Sequence, residues 1–181
     1  MSLVRCAAIV LLVALLSGCG DNLTPSGSDL RPALQPGSTG PAVGQSAPPF
    51  AVSDSSGATV TLTTALAGRK GIVLYCTMWC SSCEEQTAQL QSMAASFPEV
   101  GFYLVDYVSG TVTEAATAAV ANGVTGAAVV TLADTEHALL NAFQGTMGTT
   151  VLVDAAGVVR MNEDFRDGAR LRAMLGAPSQ P

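Results

Sequence analysis

The chain has 181 residues, enough for one ordinary domain with some to spare and too few for two full cores. Apolar residues make up 49% and charged residues only 12%, which excludes a chain that is disordered throughout. Eight Lys and Arg against fourteen Asp and Glu leave a net charge of -6, and this balance excludes nucleic acid as a main partner because a phosphate-binding surface needs the opposite sign.

In chain order, Met1-Ser-Leu-Val-Arg5 precedes an uncharged run from Cys6 to Leu16, the pattern of a basic n-region and a short apolar h-region. As a helix this run rises only about 16 Å, roughly half the hydrocarbon core, so it does not form a permanent span. Leu16-Ser17-Gly18-Cys19 resembles the bacterial lipobox. That resemblance implies that residues 1–18 are a lipoprotein signal peptide and that Cys19 is lipidated, a domain tethered to the membrane and not embedded in it. It also implies an extracytoplasmic place in a bacterial cell envelope, periplasmic in a Gram-negative cell. Gly20 stands where an Asp would favour retention in the inner membrane, so the outer membrane is slightly favoured. Beyond the lipidated Cys, Pro25, Pro32, Pro36 and Pro41 lie among Gly, Ser and Thr, and residues 19–42 read as a flexible tether.

From Val43 short β-rich runs alternate with Ala-rich stretches of helical length, which predicts an α/β domain over 43–177 with a central sheet, followed by a tail at 178–181. Thr59 to Leu62 reads as a short strand. Gly71 to Cys76 is a continuous apolar run, as a strand buried on both faces requires. A helix is predicted from Ser81 to Ser96, stopped by Pro98. Phe102 to Val108 reads as a strand, Thr113 to Asn122 as a helix ended by Gly123, and Ala128 to Leu132 as a strand. Asp134 reads as the N-cap of a helix through Phe143. Thr149 to Val153 and Val158 to Met161 flank the Asp154-Ala-Ala-Gly157 turn as a hairpin, and a last helix is predicted from Arg166 to Leu175.

Trp79-Cys80-Ser81-Ser82-Cys83 sets two thiols three residues apart on the first turn of a helix, a spacing compatible with a disulfide. Spacing alone permits zinc, structural or redox readings. Closing so short a loop stabilises a fold by only about 2 kcal/mol, against about 4.7 for a hundred-residue loop, so the pair is poorly placed as a staple. It is well placed as a redox couple. Unpaired N–H groups and the dipole at a helix N-terminus favour thiolate, making Cys80 the nucleophile and Cys83, one turn deeper, the resolving thiol. Zinc is disfavoured because the region offers three Cys, with His137 far off in the sequence.

Three motifs in order carry a resemblance to the thioredoxin-like superfamily, specifically the redoxin and TlpA-like thiol-disulfide oxidoreductases of the bacterial envelope. They are the opening Val43-Gly44-Gln45-Ser46-Ala47-Pro48-Pro49-Phe50, the strand–Trp79-Cys80-x-x-Cys83–helix unit, and the closing Thr149-Thr150-Val151-Leu152-Val153-Asp154-Ala155-Ala156-Gly157. The resemblance covers about Val43 to Gly176. It implies a thioredoxin fold, a central mixed β-sheet flanked by helices with an N-terminal β-hairpin extension, and a redox-active disulfide that requires no cofactor. It further implies docking of substrate by Trp79, Met147, Gly148 and Thr149. The partners implied are envelope proteins with thiols or disulfides, a membrane electron donor if the protein is a reductase, and the membrane itself through the lipid anchor. Reduction or exchange is the implied direction.

The chain departs from that pattern in three places. Gly148 replaces the cis-proline that normally precedes the Thr-Thr pair, so the Met147–Gly148 bond is expected to be trans. Gln86 stands where an acid often follows the second Cys, and Leu74 occupies the buried-acid position, leaving no evident side-chain base for the resolving step. Cys76 reads first as a small buried hydrophobe. The rival reading from another class is a copper-binding or metallochaperone module in which Cys76, Cys80 and Cys83 hold Cu(I). A minor alternative, thiol peroxidase, rests on Thr77-x-x-Cys80, and His137 reads as a solvated helix residue.

Overall fold

The structure is a computed structural model that describes residues 35–177 apart from Pro36 and Thr125. The lipobox, Cys19 and most of the tether lie outside the described residues, as does the tail at 178–181. In chain order the elements are β1 (Ala51–Asp54), β2 (Thr59–Thr61), α1 (Leu62–Leu66), β3 (Gly71–Thr77), α2 (Ser81–Ser96) and β4 (Val100–Asp106). They continue with α3 (Val112–Ala121), β5 (Val129–Ala133), α4 (Ala138–Ala142), β6 (Thr149–Asp154), β7 (Val159–Asp164) and α5 (Ala169–Gly176).

The strands form one seven-stranded mixed sheet in the order β2-β1-β5-β4-β3-β6-β7. β3 lies parallel to β4, and β4 parallel to β5, each pair joined by a crossover helix. β6 and β7 form an antiparallel hairpin on the other side of β3, and the β1–β2 hairpin pairs with β5. Every residue of β3 is buried, as its unbroken apolar run predicts for a strand covered on both faces. Alternation then divides that strand between two cores. Val73 and Tyr75 pack with Leu90, Met93 and Ala94 of α2, Ala119 of α3 and Leu171 of α5. Ile72, Leu74 and Cys76 face the other way, toward Ala65 of α1, Leu139 of α4 and Phe143.

Several boundaries move for local reasons. β2 ends at Thr61, not Leu62, because Thr61 and Thr64 exchange side-chain and backbone hydrogen bonds in a capping box that starts α1. β4 stops at Asp106, not Val108, since the Asp106 carboxylate accepts the N–H groups of Val108 and Ser109 and turns the chain. Asp134 does satisfy α4, yet as a cap reaching over the turn: its carboxylate accepts from Leu139 and Leu140 at 3.0 and 2.9 Å, and the helix begins only at Ala138. α5 begins at Ala169 because Gly168 takes a left-handed conformation at its N-cap. α2 runs from Ser81 to Ser96 as predicted. Ordered contacts also begin before Val43: Gly40 and Ser46 N–H groups donate to the carbonyls of Ser46 and Ser38, and Asn162 of β7 donates to the Pro41 carbonyl.

Candidate redox site

β3 hands over to α2 across Met78, Trp79 and Cys80, and this junction carries the two sulfurs. Cys80 sits at the N-cap of α2 with extended backbone, and Cys83 follows in the first turn. The two are joined as a disulfide with their Cα atoms 5.0 Å apart. Their environments differ in the way a redox couple requires. Cys80 is half-buried, whereas Cys83 is 1% exposed beneath it, so a partner's sulfur can reach the first and not the second. Cys80 makes no side-chain cap hydrogen bond to the helix, and its Sγ lies 3.1 Å from the Ser82 hydroxyl, a donor suited to a thiolate.

Trp79 is held in a left-handed backbone conformation, φ 58°, an uncommon state for a bulky residue. Two bonds hold it there: its backbone N–H donates to Thr77 Oγ1 at 3.1 Å, and its indole Nε1–H donates to Asp106 Oδ2 at 2.8 Å. Asp106 is fully buried and accepts four hydrogen bonds in all, from Trp79, Val108, Ser109 N–H and the Ser109 hydroxyl. Sequence reasoning missed this residue. The signal is a carboxylate ending an apolar strand, and the predicted strand runs two residues past it, to Val108. Thr77, the first member of the Thr-x-x-Cys pattern, is fully buried with its hydroxyl taken by Trp79.

The loop before β6 reaches the same point because β6 pairs with β3 up to Tyr75 opposite Thr150. The Gly148 N–H donates to the Cys76 carbonyl at 2.9 Å, and this contact carries Met147 over the disulfide. Met147 Sδ lies 3.5 Å from Cys80 Sγ. Gly148 has φ +82°, and no cis peptide occurs among the described residues, so the Met147–Gly148 bond is trans as expected. Thr149 is turned into the protein, its Oγ1 accepting the Thr146 N–H. Gln86 does not face the sulfurs as a proton acceptor would, since the Tyr75 hydroxyl donates to its Oε1.

Cys76 is not brought together with Cys80 and Cys83. Strand alternation sends its side chain to the α4 face of the sheet, while Cys83 belongs to α2 on the opposite face. Burial, with the nearby Asp134 carboxylate, pushes the Cys76 thiol up to about 12. Among the described residues no group of three or more His, Cys, Asp and Glu is arranged to hold a metal, so the three-cysteine copper set is corrected by the geometry. His137 is exposed as expected, yet it occupies the N-cap of α4 with φ 56°, and its Nε2–H donates to the Tyr107 carbonyl at 2.9 Å.

A mixed sheet with a disulfide at the mouth of the helix after its central strand defines a thioredoxin-like redox protein. The chain belongs to the AhpC/TSA family, which it matches over residues 43–162. Solved structures share the fold at low identity. A peroxidoxin, BcpB, from Mycobacterium tuberculosis aligns with a TM-score of 0.62 and 18% identity over 76% of this chain and 98% of that one. The thioredoxin domain of a thiol-disulfide oxidoreductase from Bacteroides vulgatus gives 0.60 and 18% over 75% and 99%. A secreted Mycobacterium tuberculosis disulfide oxidoreductase homologous to Escherichia coli DsbE gives 0.54 and 20% over 69% and 94%. No curated protein matches the sequence significantly.

Proposed function

We propose that the protein is an extracytoplasmic thiol-disulfide oxidoreductase, held to the membrane through Cys19, that reduces or exchanges disulfides of envelope proteins. The observation that carries this reading is the unequal exposure of two bonded cysteines at a helix N-terminus. In the reduced state the Cys80 thiolate attacks a partner disulfide; a Cys80–partner bond forms and the partner's own S–S bond breaks. Cys83 then attacks Cys80 Sγ, the mixed disulfide breaks, and the partner leaves with two thiols while Cys80 and Cys83 are again joined. The two electrons are restored by a membrane donor. Gly20 after the anchor Cys favours the outer membrane.

Replacing Cys83 by Ala removes the resolving step, so the C83A protein accumulates mixed disulfides through Cys80 that a reducing agent releases. Absence of adducts, together with peroxide-dependent turnover of Cys80, would move the chain to the peroxidase alternative. The anchor has its own test, since Cys19→Ala should shift the protein from the membrane to the soluble fraction.

A further inference from the structure

The thioether of Met147, carried over the disulfide by the Gly148–Cys76 backbone contact, lies against the attacking sulfur. Its Sδ is 3.5 Å from Cys80 Sγ, and the side chain is 44% exposed at the mouth of the site. With Cys83 bonded to Cys80, three sulfurs from two distant parts of the chain form one cluster. A Cβ at Gly148 would meet, apart from its chain neighbours, only Gln86 Oε1, at 3.9 Å.

We propose that the reduced protein binds one Cu(I) ion through Cys80, Cys83 and Met147. Thiolate and thioether are soft donors and select Cu(I) over harder divalent ions. Metal–sulfur bonds of about 2.3 Å place the sulfurs of a trigonal site about 4 Å apart, a spacing the Cys80–Met147 pair reaches by a small outward shift. Zinc is the poorer fit, since it seeks four donors and the nearest imidazole, His137, is bonded to the Tyr107 carbonyl. The ligand set contains Met147 in place of Cys76, which the sheet holds on its other face.

The inference rests on the reducible cysteine pair of the proposed function. A small dithiol first opens the Cys80–Cys83 bond and is itself oxidised to a disulfide. Cu(I) then replaces the two thiol protons with no change in its own oxidation state. The oxidised protein has no thiolate to offer and does not bind.

The test uses the full chain carrying Cys6→Ser and Cys19→Ser, reduced, freed of reductant and kept without oxygen. Thiols are counted with a chromogenic disulfide before Cu(I) is titrated against a coloured chelator, and X-ray absorption counts the sulfur neighbours. Two reactive thiols, one Cu(I) per chain and three sulfurs are expected. Met147→Leu should weaken binding at least tenfold and leave two sulfurs, whereas Cys76→Ala should bind as the parent does. Two reactive thiols without copper binding, two sulfurs in the parent, or equal affinity for zinc overturns the copper site alone. Thiols that never titrate overturn both it and the exchange function.

Discussion

Cys76 and Cys80 are four residues apart and chemically alike, yet the fold gives them opposite fates. Cys76 is 4% exposed and faces the core under α4; Cys80 is half-buried at the mouth of α2. With Cys6 and Cys19 replaced by Ser, the reduced native chain should therefore release two fast equivalents from a chromogenic disulfide at neutral pH, one as Cys80 attacks it and one as Cys83 resolves the mixed disulfide, with Cys76 reacting only in denaturant. Three fast thiols would show that Cys76 is not sealed. The Trp79 side chain is placed by its indole, which donates to a carboxylate that is fully buried. Trp79→Phe keeps most of the apolar surface and removes that donor, so stability should fall by about 1–3 kcal/mol, read as a lower urea midpoint with an unchanged slope.

At the scale of elements, two glycines decide how the neighbouring segments meet. Gly168 turns β7 into α5 at φ +68°, and a Cβ there would lie 2.6 Å from Phe165 Cζ and 2.7 Å from Met93 Cε. Gly168→Ala combines backbone strain with overpacking and should cost about 2–3 kcal/mol in a urea titration. Gly148 stands where the sequence resemblance leads one to expect a proline, and introducing that residue is not neutral here. Its φ of +82° is closed to a pyrrolidine ring, and its N–H is bonded to the Cys76 carbonyl. Gly148→Pro should therefore destabilise the protein by about 2 kcal/mol or more, and a Pro variant as stable as the parent would show that the loop refolds freely. Sequence patterns delimited α2 and β6 closely because each ends on a local stop or turn signal, whereas β7 runs on to Asp164, three residues past the predicted Met161. At the hairpin tip the Asp154 carboxylate accepts the N–H groups of Ala156 and Val158, each at 2.9 Å. α4 began later than predicted because its cap acts from four residues before the first helical turn, across a left-handed His137 that no periodicity announces.

For the whole molecule, the sheet separates two cores and buries groups that resist deprotonation. Burial, with smaller contributions from neighbouring Cys76 and Tyr107, pushes Tyr75 up to about 12 from its ordinary 10.0, and Cys76 rises to about 12 from 9.0. Burial raises Tyr103 and Tyr107 in the same direction. All four are neutral when protonated, so above the unfolded-state values the native state holds more protons than the unfolded state, and stability falls as pH rises. The contribution is complete below about pH 9 and is lost through about pH 12. Urea midpoints of the oxidised protein should decline from about pH 9 to about pH 12, and Cys76→Ala should flatten part of that slope. A midpoint independent of pH would remove burial as the cause.

The sequence by itself determined the layered α/β architecture, the central strand, the helix that follows it and the pair of cysteines at their junction. Each of these is written in periodicity, caps and turn residues within a few neighbours of the feature it specifies. Tertiary structure alone decided which groups meet there. Met147 reaches Cys80 across 67 residues and Trp79 reaches Asp106 across 27. Alternation says that a strand has two faces, but not which of them α2 will cover. That choice, and the register that lays β4 and β6 beside β3, comes from packing apolar surface over the whole sheet. It set Cys76 apart from the redox pair and brought a thioether and a buried carboxylate to the site.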